Sequence, residues 1–197
     1  MKKINFVKTF IPKEDYKEKY VYNGSMMVFH LRAVLNEEMG AYECYECTVP
    51  IGVQSENEVR KAFDEFIAKM DAMELEQAKA DKISEITVYD TSSSVNGFML
   101  NGLLVWLDKA TRVGLMNSTT IAKEAGQKTT TLWLGGVKLV VDCDKAIQLL
   151  SALEMYALEC FNVTASHKAT VGELGSIEKV ESYDYKAGYP KMLEMSV

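Results

Sequence analysis

A pattern that occurs twice in the second half of the chain constrains the fold most strongly. LNGLLVWLDKATRVGLM (100–116) and LGGVKLVVDCDKAIQLL (134–150) each contain a glycine turn, an apolar strand, an aspartate and a helix led by Asp-Lys-Ala. The alignment shifts by two residues after the first aspartate. The repeat predicts two hairpin–helix units in succession. Neither unit can bury its apolar face alone, so we expect one four-stranded sheet under two helices.

Turn and cap residues delimit these predicted elements. Asn101-Gly102 and Gly135-Gly136 favour the positive φ angles of two-residue hairpin turns. Asp108 precedes the first helix, and either Asp142 or Asp144 precedes the second. Aspartate at these positions is typical of an N-cap, so we interpret the three carboxylates as caps and not as a catalytic cluster.

The second of these helices is the more apolar, and we expect it to be the core helix. It is predicted to reach about Thr164, with a break between Ser166 and Gly172 because glycine weakens the continuation. The aromatic tail from Tyr183 is expected to cover a sheet edge. The apolar residues at helical spacing are Ala146, Leu149, Leu150, Leu153, Tyr156, Ala157, Cys160 and Phe161.

The first half predicts a small β-meander. Strand-like segments cover residues 3–11, 19–22, 25–35 and 41–49. Asn23-Gly24 lies between the second and third segments and is a specific hairpin signal.

A long amphipathic helix is predicted after the meander. Ser55 and Glu58 form a capping-box pattern, and no glycine or proline interrupts the chain from Glu56 to at least Lys82. This spacing is typical of a helix with one buried face, which we expect to cover the meander; the alternative is a seam for a homo-oligomer along residues 55–82. The apolar stripe consists of Val59, Phe63, Phe66, Met70, Met73 and Ala80.

The predicted fold class is α+β. It combines an N-terminal β-meander with a long helix and a duplicated ββα–ββα unit giving an antiparallel sheet packed on helices. We interpret residues 83–90 as a join and residues 91–94 as a loop. The predicted domains are therefore 1–82 and 83–197. Whether the two halves share one core is left open.

Composition limits the classes of partner. The formal net charge is −6 and no Lys/Arg cluster occurs, so we expect no nucleic-acid partner. No apolar stretch reaches the length of a membrane span, and Lys8 interrupts the N-terminal apolar run before it could form a signal peptide. We therefore expect no membrane partner and folding in the cytoplasm.

No sequence motif points to catalysis. Nucleotide-binding, hydrolase and metalloprotease motifs are absent from the sequence, so we expect a non-enzymatic protein with no catalytic residues, metal or cofactor. His30 is expected to be a partly exposed strand residue. His167 is expected near a helix end, where it would complement the helix dipole.

The cysteines and tryptophans each allow two interpretations. Cys44 and Cys47 form a C-x-x-C, but residues three apart in a strand face opposite sides, so we expect free thiols and not a zinc or redox site. Cys143 and Cys160 are separated from them in the sequence. Trp106 and Trp133 each lie in one apolar hairpin; we expect them in the core, with an aromatic binding surface as the alternative.

Three phrases of the second half carry a resemblance to a known family. They are VNGFMLNGLLVWLDKATRVGLMNS, TTLWLGGVKLVVDCDKAIQLLSALEMYALECF and YDYKAGYP, within about residues 83–190. The segment resembles a phage and prophage domain of unknown function found in tail-fibre and tail-fibre-assembly-like proteins. The whole chain is similar to short proteins of gut Bacteroides-type phages. This family has no established active site, so it assigns no functional residue.

The resemblance implies a function through protein contacts. We expect a structural or tail-fibre assembly protein of a phage tail, with other phage tail proteins as partners. It would be made in the host bacterial cytoplasm, and the virion is a second expected location. The alternative is a phage-encoded intracellular binding protein that modulates a host or phage protein.

Overall fold

The computed structural model describes residues 4–196, which divide into two compact units between Met73 and Glu74. This division falls inside a helix, whereas the sequence-based boundary lies after residue 82. The first unit contains four strands and the beginning of that helix. The strands are β1 (Val7–Pro12), β2 (Lys19–Tyr22), β3 (Met26–Asn36) and β4 (Ala41–Pro50). Lys3, where the first strand was predicted to begin, lies outside the described residues.

The four strands form one antiparallel sheet in the order β1-β4-β3-β2. Strands β2 to β4 make the predicted meander, but β1 pairs with β4 and not with its sequence neighbour β2. The connection at residues 13–18 is longer than a tight hairpin loop, so it does not fold β1 directly back onto β2. The backbone N–H of Lys13 instead donates to the carbonyl of Gly40, and that of His30 donates to the carbonyl of Glu18.

Helix α1 (Glu56–Asp90) begins with the predicted capping box. The N–H of Glu58 donates to Ser55 Oγ at 3.3 Å, and the N–H of Ser55 donates to Glu58 Oε2 at 2.7 Å. Val59 and Phe63 pack on Phe29 of the sheet. The prediction that this helix covers the meander is therefore confirmed.

The second part of α1 differs from the sequence interpretation. Residues 83–90 continue the helix and do not form a join. Ile86 is buried with Val171 and Val180, and tertiary packing of this kind stabilises a helix whose local sequence favours it only weakly. The predicted apolar stripe ends before this part of the helix: Met73 is 60% exposed, and Ala80 is exposed as well.

The second unit contains the two predicted hairpin–helix repeats, and the α+β fold class is confirmed. Asp108 caps one helix through a 2.8 Å hydrogen bond from the N–H of Thr111, and Asp142 caps another through a 2.9 Å hydrogen bond from the N–H of Asp144. The elements are α2 (Ser93–Asn96), β5 (Gly97–Leu100), β6 (Leu103–Trp106), α3 (Lys109–Glu124), β7 (Thr129–Leu134), β8 (Val137–Asp142), α4 (Cys143–Glu173), α5 (Ile177–Glu181) and β9 (Leu193–Met195).

The two hairpins do not join into the predicted four-stranded sheet. The first belongs to a three-stranded sheet in the order β6-β5-β9, and the second forms a two-stranded sheet of β7 and β8. The C-terminal strand β9 runs parallel to β5 and occupies its second edge. The prediction that the tail covers a sheet edge is therefore confirmed. Both hairpins still contribute to one apolar cluster, in which Phe98 and Leu132 pack with Leu150 of α4.

Helix α4 also differs from its prediction. It runs without a break from Cys143 to Glu173, past the glycine at which we expected an interruption. Val171 is fully buried with Ile86 and Val180, and this packing holds the last turns of the helix in place.

Gly97 occupies a position that leaves no room for a side chain. A Cβ atom there would overlap the carbonyl oxygen of Ser93 and approach Leu104 Cδ1 to 3.2 Å. We expect Gly97→Ala to lower the free energy of unfolding by about 2 kcal/mol, measured by urea denaturation. Gly114 of α3 has open space around the same position, so Gly114→Ala should be neutral or stabilising. Equal stability of the two variants would contradict this packing.

Candidate interaction site

Both tryptophans lie on the surface, so the prediction that they belong to the core is wrong. Trp106 is 41% exposed and Trp133 is 60% exposed. Their strand neighbours Val105, Leu132 and Leu134 take the buried positions, and alternation along a strand turns the tryptophans outward. The alternative of an aromatic binding surface fits this arrangement.

A groove of about 440 Å³ lies beside Trp106 in the second unit. Leu158 and Phe161, three residues apart on α4, line it together with Trp106. Phe161 was predicted in the core but is 59% exposed, and Leu158 is 50% exposed. Tyr156 and Cys160 occupy the buried side of α4, which leaves Phe161 on the outer side of the helix.

A buried arginine forms part of the groove. Arg112 of α3 is 8% exposed. Its Nε donates to Glu154 Oε1 at 2.9 Å, and its Nη1 donates to the carbonyl oxygen of Leu107 at 2.8 Å. The ion pair with Glu154 and the hydrogen bond to the Leu107 carbonyl offset the cost of removing the arginine charge from water. The guanidinium is therefore held in one position in the free protein.

Two aspartates lie on the wall of the groove. Asp90, at the end of α1, accepts a 2.7 Å hydrogen bond from Thr164 Oγ1. Asp108 caps α3, and hydrogen bonds from the side chain and the backbone of Thr111 hold its pKa below the usual range for aspartate. A carboxyl group with a lowered pKa remains ionised at neutral pH, so Asp108 supplies a permanent negative charge here.

Sequence reasoning did not find the polar part of this site. Arg112 and Glu154 are 42 positions apart in the sequence and meet only because α3 packs beside α4. Neither residue belongs to a motif. The one available signal was Trp106 in a predicted strand, for which a surface role was the second interpretation. Exposed apolar side chains beside fixed polar groups give a surface suited to binding another molecule.

Both histidines lie outside this groove and serve as structural hydrogen-bonding groups. His30 is 4% exposed and not partly exposed as predicted, because the rings of Tyr16 and Tyr20 lie against it. Its Nε2 lies 3.2 Å from Glu46 Oε2. His167 lies within α4, where its Nδ1 is 2.8 Å from Tyr183 Oη. It anchors the tail and does not serve the predicted role at a helix end.

All four cysteines are free, buried thiols. Cys47 belongs to the core under α1, and burial raises its pKa to about 11. Burial also raises the pKa of Cys44. Within residues 4–196, no group of three or more histidine, cysteine or acidic side chains is placed to hold a metal ion.

The burial of these thiols predicts slow chemical labelling of the native protein. At pH 8 we expect Ellman's reagent to react with them about a hundredfold more slowly than in 6 M urea, because all four are buried. Burial also raises the pKa of Cys44, Cys47 and Cys160, which lowers the fraction of reactive thiolate. Raising the pH to 9 should leave Cys47 protonated, because its pKa is about 11. Rapid reaction of one or two thiols in the native protein at pH 8 would contradict the buried arrangement.

Among helices of residues 4–196, none has both the length and the apolar character needed to cross a bilayer.

Comparison with known proteins gives no relative from which a role could be transferred. No protein-family profile, no curated protein and no solved structure matches the chain.

Proposed function

We propose that this protein acts by protein–protein contact through the groove lined by Trp106, Leu158 and Phe161, as a structural or tail-fibre assembly protein of a phage tail. One observation carries the proposal. Three large apolar side chains from β6 and α4 are exposed in the groove that the Arg112–Glu154 pair also lines. Apolar side chains clustered at the surface mark interaction sites when polar groups surround them.

The residue types of the groove favour a protein partner. Tryptophan and arginine are over-represented among the residues that contribute most to binding energy at protein interfaces. Arg112 is already fixed by its hydrogen bonds to Glu154 and to the carbonyl of Leu107, so a partner would not have to order it. A rigid charged group beside exposed aromatic side chains therefore supports contact with another protein.

The assignment to a phage tail rests on the resemblance of residues 83–190 to tail-fibre-associated domains. Under this proposal the protein is synthesised in the host bacterial cytoplasm and contacts other phage tail proteins. The groove lies within the segment that carries the resemblance. The alternative, a phage-encoded intracellular binder, predicts the same groove with a different partner.

Mass spectrometry of purified virions separates these roles. Abundant copies in mature particles would identify a structural component. Absence from particles, together with a fibre-assembly defect when the gene is deleted, would identify an assembly factor. Normal particles without this protein, and its recovery with a host protein from infected cells, would contradict the tail role and support the intracellular binder.

Complementation of the deletion tests the groove itself. Trp106→Ala should fail to restore particle incorporation or fibre assembly, because it removes the indole ring from the groove lining. Trp133→Ala is the matched control: it removes an even more exposed tryptophan from strand β7 of the second hairpin, and Trp133 does not line the groove. Full complementation by Trp106→Ala would contradict the proposed site.

A further inference from the structure

We infer that the groove binds a cationic amphipathic segment of its protein partner, one that inserts an apolar side chain beside Trp106 and carries lysine or arginine next to it. This inference rests on the proposed function. It adds the chemistry of the partner, which the exposed apolar side chains alone do not specify.

The apolar part of the segment follows from the shape of the groove. Trp106 of β6 and the Leu158–Phe161 pair of α4 line it together. The volume of about 440 Å³ is sufficient for one or two large side chains of a partner and too small for a folded element. The two α4 residues are separated by one helical turn, so a single apolar side chain can contact both.

The charge of the segment follows from the side chains that line the groove. The charged side chains of the lining are three carboxylates and two cations: Asp90, Asp108 and Glu154 are acidic, and Lys109 and Arg112 are basic. Glu154 and Arg112 are paired with each other. Within residues 4–196, Asp90 and Asp108 form no ion pair and are hydrogen-bonded by the neutral residues Thr164 and Thr111.

Lys109 is therefore the cation that remains to balance two aspartates. The groove keeps an excess of negative charge, in a chain whose formal net charge is −6. A partner with lysine or arginine beside its apolar side chain gains favourable interactions with Asp90 and Asp108. An acidic partner is repelled by them.

Two synthetic peptides of equal length test this chemistry against the full-length protein. Both place leucine on one face of a helix; one carries lysine on the other face and the other carries glutamate. By isothermal titration calorimetry at low salt, we expect the lysine peptide to bind at least about tenfold more tightly. The difference should shrink in 0.5 M NaCl, because salt screens exposed charges. Equal affinity for both peptides would overturn the inference.

Single substitutions locate the binding. We expect Trp106→Ala and Phe161→Ala each to weaken binding of the lysine peptide by about tenfold, and Trp133→Ala to leave it unchanged. Lys109→Glu should strengthen binding by about fivefold, because it removes the one balancing cation and adds a carboxylate at the start of α3. Equal losses from Trp106→Ala and Trp133→Ala, or weaker binding by Lys109→Glu, would overturn the inference.

The two levels of the proposal can fail separately. If Trp106→Ala blocks particle incorporation or fibre assembly while the two peptides bind equally, the cationic partner is refuted and the contact function stands. If Trp106→Ala complements the deletion fully, the contact function at this groove fails, whatever the peptides do.

Discussion

Replacing Phe66 by aspartate is expected to break the folding or assembly of the first unit. The Phe66 ring lies 5.3 Å from Phe6 and 5.6 Å from Tyr45, between centroids, within the apolar cluster under α1. The substitution removes these contacts and leaves a carboxylate without a partner among apolar side chains. We expect a loss of about 4 kcal/mol, which approaches the whole stability of a small unit.

Urea denaturation followed by circular dichroism, with light scattering for mass, measures this effect. Lys69→Asp is the matched control, because it places the same side chain on an exposed position of the same helix. It should change stability by less than about 0.5 kcal/mol. Wild-type stability and mass in Phe66→Asp would show that the stripe of α1 does not hold the first unit together.

Replacing Phe98 by alanine is expected to have a similar effect on the second unit. Phe98 is 0% exposed and packs in the apolar cluster formed by residues of both hairpins and α4. Removing a fully buried phenylalanine side chain costs about 3–5 kcal/mol, because apolar burial is lost and a cavity remains. The free energy of unfolding from urea titration is the measurement.

Phe161→Ala is the control for this prediction. It makes the same chemical change on α4, at a side chain that is 59% exposed, and should cost less than about 1 kcal/mol. That result would also establish that a groove variant remains folded. Similar losses in Phe98→Ala and Phe161→Ala would contradict the assignment of one to the core and the other to the surface.

Local signals predicted most of the elements of this fold. Asn101-Gly102 has the positive φ angles of 49° and 82° that its turn requires, and Gly135-Gly136 behaves in the same way. Ser55 and Asp108 cap the helices that their sequence positions indicate. Each of these features depends on a few neighbouring residues, which is why the sequence is sufficient to predict it.

Features that depend on distant contacts were predicted poorly. Strand β9 has three residues and pairs with a strand near residue 98, so no local pattern reveals its register. The position of β1 beside β4 also depends on pairing across the sheet. The helical state of residues 83–90 depends on Ile86 meeting Val171 and Val180. In each case a tertiary contact outweighs weak local preference.

The candidate site illustrates the same limit. Residues 103–107 are apolar without interruption, so the sequence gives no alternation from which the outer face could be read. Val105 is buried in the apolar cluster of the second unit, whereas Trp106 next to it is half exposed. Arg112 and Glu154 come from separate helices, and their pairing is visible only in three dimensions.

Site-specific photo-crosslinking in phage-producing bacteria tests the central claim most directly. A photoreactive phenylalanine analogue is placed at position 161 in one strain and at position 133 in another, both in the full-length chain. The groove account predicts that position 161 crosslinks to one phage tail protein and that position 133 does not. Crosslinking to that protein from position 133 alone, or no crosslinked protein from position 161, would contradict it.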